Sequence, residues 1–243
     1  MEKMKIEIWS DIACPYCYIG KRKMETALSQ FPHRDEIELV WHSYELNPDF
    51  PKAALDKSYY QYLAEINHST IEKEKIELQG LIHLAKSAGL DYHFDKVILT
   101  DTSDALRLVK LAKEKKLADE AEEILFKAFF VDGENISDRN TLIRLGVQIG
   151  LPEDEIANLL DSDKFLEEIK EDIRHSEDDL NLEYIPFYLL NNKYVVQGSI
   201  ANEEYLDVLT KAYDDWKHNG ISATVNEEDI ITGQACSIDG KCS

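Results

Sequence analysis

The stretch Ile6-Glu7-Ile8-Trp9-Ser10-Asp11-Ile12-Ala13-Cys14-Pro15-Tyr16-Cys17-Tyr18-Ile19-Gly20 decides how this chain is read. Its first part, Lys5 to Trp9, alternates like a β-strand and ends at Ser10-Asp11. Two cysteines follow, and a helical pattern runs from Tyr18 to Gln30. Two thiols three positions apart at a helix start can close a disulfide. The first lies where unsatisfied backbone N–H groups and the helix dipole favour a thiolate. Such a pair suits thiol–disulfide exchange better than structural bridging.

The order of elements follows from that start. A second strand is expected at Ile37 to Tyr44, ended by the Asn47-Pro48 and Phe50-Pro51 steps. From Ser58 to Leu180 the strand signal nearly vanishes. Helices are expected at 59–67, 69–88, 103–116, 118–131, 139–149, 153–160 and 164–180. Leu106, Val109, Leu111 and Ala112 form one apolar stripe at helical spacing, and Ile124, Leu125, Ala128 and Phe129 another. Gly89, Ser137 or Asp138, and Gly150-Leu151-Pro152 mark helix ends. Strands return at Phe187 to Leu190 and Tyr194 to Gln197, joined through Asn191-Asn192. A helix from Asn202 to Trp216 precedes an irregular tail that carries Cys236 and Cys242. The result is β-α-β, a helical block, then β-β-α. Without the block this is the thioredoxin topology. The fold class is therefore α/β, with residues 1–57 and 181–243 forming a discontinuous thioredoxin-like domain and 58–180 an all-helical insertion.

Composition narrows the function. The 243 residues include 48 acidic and 27 basic side chains, a net charge of −21, which repels phosphate backbones and anionic lipid. No nucleic-acid partner and no membrane association are expected, and no stretch approaches the ~20 apolar residues of a membrane span. The N-terminal segment shows no apolar signal core, and four cysteines are too few for a disulfide-stapled secreted domain. A cytoplasmic location is expected. There is no Gly-rich phosphate loop, no Gly-x-Ser-x-Gly and no spaced histidine pair, so no cofactor and no metal are expected. Zinc held by all four thiols is disfavoured, because Pro15 and the helix start suit exchange.

The segment 10–20 resembles the active-site region of DsbA-type thioredoxin-fold oxidoreductases, particularly their FrnE-like branch. The resemblance continues through Tyr44-Glu45-Leu46-Asn47-Pro48, Asp104-Ala105 with Leu108 to Lys113, Gly133-Glu134-Asn135-Ile136, and Ile185-Pro186-Phe187. It implies that Cys14 is the exposed, low-pKa nucleophile and Cys17 the more buried resolving thiol, with Pro15 and Tyr16 tuning the redox poise. Thioredoxin and DsbA potentials lie about 150 mV apart, so the motif implies the reaction and leaves its direction open. It also implies a cis bond before Pro186, with the Ile185 backbone pairing to an extended substrate. The substrates implied are protein or peptide thiols and disulfides, with glutathione or a thioredoxin-type reductant as further partners.

The chain departs from the pattern at one place. Thioredoxin and DsbA carry a buried acid six residues before the first cysteine, where this chain has Ile8. Asp11 and Glu45 are the nearest carboxylates for proton transfer, though each could equally cap a helix or face solvent. Cys236 and Cys242 flank a five-residue spacer in which Asp239-Gly240 favours a turn, making them a candidate accessory redox pair. Two further readings stand beside an oxidoreductase or disulfide isomerase. The fold with a helical insertion also resembles kappa-type glutathione transferases and 2-hydroxychromene-2-carboxylate isomerases, which use a serine where Cys14 stands. Cys-Pro-Tyr-Cys resembles glutaredoxin as well, which keeps glutathione open as co-substrate. The last reading is a redox-gated binding module.

Overall fold

A computed structural model describes residues 3–222, 224–237 and 242. The chain divides into two compact units, Met1–Leu46 with Glu168–Ser243, and Asn47–Glu167.

The first unit is built on the five-stranded order β2-β1-β4-β5-β6, and its long helices follow β1 and β5. β1 (Met4–Ser10) lies parallel to β2 (Ile37–Ser43), and the crossover between them carries α1 (Pro15–Gln30). β1 is antiparallel to β4 (Phe187–Leu190), which turns back into β5 (Tyr194–Gln197). The turn uses Asn191 and Asn192 at φ +52° and +53°, a conformation asparagine tolerates. α9 (Asn202–Asn219) packs against α1. Strand alternation sorts the residues: Met4, Ile6, Ile8 and Ser10 share one face of β1, Glu7 and Trp9 the other.

The tail is not irregular. After α9 it adds β6 (Ile230–Thr232), parallel to β5, and then β7 (Cys236–Ser237). β7 pairs antiparallel with the two-residue β3 (Tyr184–Ile185), with Ile185 opposite Cys236 and Tyr184 opposite Ser237. Between β6 and β7, Ser199 and Gln234 exchange backbone hydrogen bonds of 2.7 and 3.1 Å. Gly198 (φ +89°) and Gly233 allow this approach. A Cβ on Gly198 would lie 2.7 Å from the Gly233 carbonyl, and one on Gly233 2.4 Å from the Ser199 carbonyl.

The second unit is helical: α2 (Tyr59–Ile66), α3 (Ile71–Ser87), α4 (Ser103–Glu114), α5 (Ala118–Lys127), α6 (Arg139–Gln148) and α7 (Glu153–Leu160). α4 packs against α5, α6 and α7. Leu106, Val109, Leu111 and Ala112 are buried as their spacing predicts, as are Leu125, Ala128 and Phe129. Ile124 is half-exposed and Phe126 takes its place in the core. Ser58 caps α2 and Asp138 caps α6. α5 does not continue to 131: a π-helical turn, Ala128–Asp132, follows it and stops at Gly133, φ +70°.

The division falls at 46/47 and 167/168, where the sequence reading places it at 57/58 and 180/181. It cuts through α8 (Leu166–Arg174), whose later residues belong to the sheet. The Asp172 carboxylate accepts the Ser43 N–H at 2.7 Å and meets His42 Nδ1 at 3.0 Å, and its backbone carbonyl accepts from Trp9 Nε1 at 3.1 Å. Polar contacts of this kind carry no periodic signal in the sequence.

Candidate active site

The turn between β1 and α1 presents the two thiols. Asp11 shapes it: its Oδ1 accepts the Ala13 N–H (3.1 Å), its Oδ2 accepts the Leu46 N–H (2.8 Å), and its backbone carbonyl accepts the Cys14 N–H (3.0 Å). The carboxylate is thereby committed to backbone donors of the site loops. Glu45 follows β2, half-buried, next to the Leu46 that Asp11 binds.

Cys14 is the N-cap of α1, with φ −87° and ψ 111°, and Pro15 occupies the first helical position, where its missing N–H costs nothing. The Cys14 side chain makes no cap hydrogen bond to the first turn, and the Cys17 N–H donates instead to the Cys14 carbonyl at 3.1 Å. Both thiols are free. The resemblance implies an exposed Cys14 above a buried Cys17, and the structure differs: Cys14 is 0 % and Cys17 2 % exposed. The Cys14 sulfur lies 3.8 Å from the Ile185 carbonyl, and Ile185 is the residue that β7 covers by strand pairing. Burial is the largest cause holding the Cys17 thiol well above its ordinary pKa, followed by a hydrogen bond and charge coupling with Cys14. A backbone N–H of Asp11 and the Ser10 side chain pull the other way. Tyr16 is raised too, by burial first and then by Cys14.

The Ile185–Pro186 bond is cis, and the Ile185 carbonyl lies 3.8 Å from the Cys14 sulfur. The Pro186 carbonyl accepts the Gly198 N–H at 2.6 Å, which ties this loop to the end of β5. Pro186 and Tyr188 press on α1 at Gly20. A Cβ there would meet the Tyr188 hydroxyl at 2.6 Å, the Pro186 ring at 3.0 Å and the Tyr205 hydroxyl at 3.3 Å. The glycine three positions after Cys17 therefore lets the helix approach the proline loop. Ile8, in the place of the usual acid, is buried and pairs in register with Tyr188. Two hydroxyls on this face, Ser10 and Tyr188, were not among the residues the sequence singled out. The alternation Ile6, Ile8, Ser10 is the signal that would have drawn out the first.

Cys236 and Cys242 form a disulfide. Cys236 is buried and Cys242 exposed, and the two also pair as an antiparallel bridge. The Asp239-Gly240 turn lies outside the described residues. The pair is thus brought to the same edge, Ile185, that faces Cys14. Among the described residues no group of three or more His, Cys, Asp or Glu side chains is arranged to hold a metal ion, and no helix is long and apolar enough to cross a membrane.

Comparison with known proteins matches residues 5–212 to the DSBA-like thioredoxin domain. The chain is similar to a probable DsbA oxidoreductase from Streptomyces coelicolor, with 30 % identity and a TM-score of 0.82 over 99 % of this chain and 98 % of that one. It is 24 % identical over 211 residues to YwbO of Bacillus subtilis, covering 86 % of this chain and 96 % of that protein. Two more distant structures share the fold. The cytosolic disulfide reductase DsbM from Pseudomonas aeruginosa, solved with GSH, has 16 % identity and a TM-score of 0.59, covering 88 % of this chain and 98 % of its own. A 2-hydroxychromene-2-carboxylate isomerase has 12 % identity and a TM-score of 0.61, covering 90 % and 100 %.

Proposed function

This chain belongs to the DsbA-like thioredoxin domain family, and on that premise we propose that it is a dithiol–disulfide oxidoreductase or isomerase working through Cys14 and Cys17 on protein or peptide substrates. The observation that carries this reading is the position of the Cys14 sulfur, at the N-cap of α1 and 3.8 Å from the Ile185 carbonyl before cis-Pro186. In the reducing direction the Cys14 thiolate attacks a partner disulfide. One partner sulfur leaves with the electron pair and takes up a proton, and the other stays bonded to Cys14. Cys17 then loses its proton and attacks the Cys14 sulfur. The second partner sulfur leaves, and the enzyme holds the Cys14–Cys17 disulfide. A thioredoxin-type reductant or glutathione would then reduce that disulfide and reset the pair, and the oxidising direction runs these steps in reverse, ending with the pair reduced. The Ile185 edge would hold an extended substrate by strand pairing once β7 has left it.

Cys14→Ser is expected to abolish insulin reduction and the reactivation of a scrambled disulfide substrate. Cys17→Ser should accumulate the mixed disulfide, seen as a substrate adduct that a reductant releases. Undiminished turnover by Cys14→Ser would overturn the reading.

A second reading concerns glutathione. The likeness to DsbM, solved with GSH, supports a small thiol as co-substrate. The free thiols at both positions favour redox cycling over the serine-type chemistry of the isomerase class. Saturable glutathione binding that persists in Cys17→Ser, with no disulfide exchange in the native chain, would favour the transferase or isomerase class instead. A reducing cytoplasm is the compartment in which the first reading places the pair.

A further inference from the structure

Asp11 is a buried acid at the start of the cysteine turn. Among the described residues of the sheet unit, the buried carboxylates are Asp11 and Asp229, and Asp229 is paired with Lys211 at 3.4 Å. Asp11 is held by backbone N–H groups, with Oδ1 accepting from Ala13 at 3.1 Å and Oδ2 from Leu46 at 2.8 Å. Donors on both oxygens favour the ionised carboxylate, which only accepts. The loop that Asp11 grips is stapled to the turn a second time, because the Tyr44 N–H donates to the Ser10 carbonyl at 2.9 Å. Tyr44 is anchored in turn by its phenol, which donates to Glu177 Oε1 at 2.8 Å. The charge is therefore fixed in place. Covalent geometry from the Ala13 nitrogen puts Oδ1 at most about 8 Å from the Cys14 Cα. Backbone donors of the turn are spent on the same residue: the Ala13 N–H on the carboxylate and the Cys14 N–H on the Asp11 carbonyl at 3.0 Å. Pro15, next in line, has no N–H to give.

We propose that Asp11 is a positioning residue of the dithiol whose fixed negative charge restrains ionisation of the Cys14 thiol. This rests on the reading of Cys14 as the attacking sulfur. A like charge nearby disfavours a second one, and buried charges are screened little by salt. The helix start at Cys14 pulls the other way. The thiolate available for attack is thus set by two opposed influences, the N-terminus of α1 and the Asp11 carboxylate. The other thiol and the phenols near the pair are held neutral. Cys17, Tyr16 on α1, Tyr188 on β4 and Tyr205 on α9 are all pushed up, each by burial first. Tyr44 is pushed up as well, by burial, then by Glu177, then by the Asp11 charge. Glu177 is engaged by that phenol, and Glu45 lies half-buried between Tyr44 and Leu46.

The full chain carrying Cys17→Ser, with the Cys236–Cys242 disulfide intact, makes Cys14 the reporting thiol, and its alkylation by iodoacetamide is followed against pH. Adding Asp11→Asn keeps the shape and one acceptor oxygen but removes the charge. It is expected to move the midpoint of the rate profile down by about one pH unit, a gain of about tenfold in thiolate fraction below the midpoint. Asp11→Glu, which keeps the charge, should stay near the native midpoint. A merely loosened turn would make Cys14 more accessible, which scales the rate at every pH and leaves the midpoint where it was. An unchanged midpoint in Asp11→Asn, or an Asp11→Glu midpoint shifted as far as that of Asp11→Asn, would overturn the proposal. Near-ultraviolet circular dichroism checks that each variant is folded. Where either is not, carbon-13 resonance of the Asp11 carboxyl in the Cys17→Ser chain decides. It is expected to move with the Cys14 titration, and a resonance that ignores that titration overturns the proposal equally. Neither readout depends on turnover. A native chain without exchange activity would therefore sink the oxidoreductase reading while leaving the Asp11 effect on Cys14 to stand or fall separately.

Discussion

Cys14 and Cys17 differ more in what surrounds them than in how deeply they lie. Cys14 has a helix N-terminus beneath it and a backbone carbonyl at 3.8 Å, while Cys17 is pushed up by burial. That asymmetry suits an attacking thiol and a resolving one. The spacing of the pair is legible in any reading of the chain, and so is Pro186. Ser10 is not, because a serine at a strand end is an ordinary residue until its neighbours are known. Gly20 belongs to the same scale. It reads as a helix-interior glycine, which is normally a weakness, yet the Tyr188 hydroxyl and the Pro186 ring leave no room for a methyl group. Gly20→Ala is therefore expected to destabilise the protein by about 1–3 kcal/mol through overpacking. A lowered denaturant midpoint at unchanged m would show it, whereas a gain in stability, as helix propensity alone predicts, would refute it.

At the scale of elements, the two faces of β1 do different work. One carries Ile8 and Ser10, both buried. The other stacks Trp9 on His42, ring centroids 4.4 Å apart, and sets His42 between Glu7 (3.1 Å) and Asp172 (3.0 Å). The hydrogen bond to His42 is the main reason the Glu7 carboxyl titrates below its ordinary value of 4.5, against a burial effect that raises it. A depressed folded-state pKa means stability that is present above the unfolded value and lost as pH falls through the folded one. Glu7→Gln should cost on the order of 1 kcal/mol at neutral pH and flatten the loss of stability below about pH 4.5. Denaturant unfolding at several pH values checks this, and an acid limb as steep as that of the native chain would count against it. Strand and helix positions here were legible from period and caps. The π-helical turn after α5 and the role of α8 against the sheet were not, since hydrogen bonds from Asp172 leave no pattern in sequence.

For the whole molecule, the notable feature is that Ile185 lies beside both Cys14 and Cys236. β6 extends the sheet, Gly233 lets the tail pass Gly198, and β7 places Cys236 opposite Ile185. The tail therefore pairs with the Ile185 edge, whose carbonyl lies 3.8 Å from the buried Cys14 sulfur. In keeping with an accessory redox pair, a chain ending before Cys236 should show a Cys14–Cys17 reduction potential shifted by about 30 mV or more, the equivalent of ~1.4 kcal/mol. Its Cys14 should also be alkylated faster than in the full chain. Equal potentials and equal alkylation rates in the two chains would dissociate the tail from the site.

The sequence by itself determined the order of elements, the helical block between two halves of a thioredoxin-like sheet, and the cysteine pair at the start of α1. These follow from local rules, in which apolar period, turn residues and spacing each act over a few positions. The tertiary structure decided which groups the dithiol meets. It buried Cys14, committed Asp11 to the loop, turned Ser10 and Tyr188 inward and seated the tail on Ile185. Those outcomes depend on contacts between residues as far apart as Cys14 and Ile185. Such contacts are set by sheet register and by the close approach of α1 to the proline loop, and no local window of the sequence contains them.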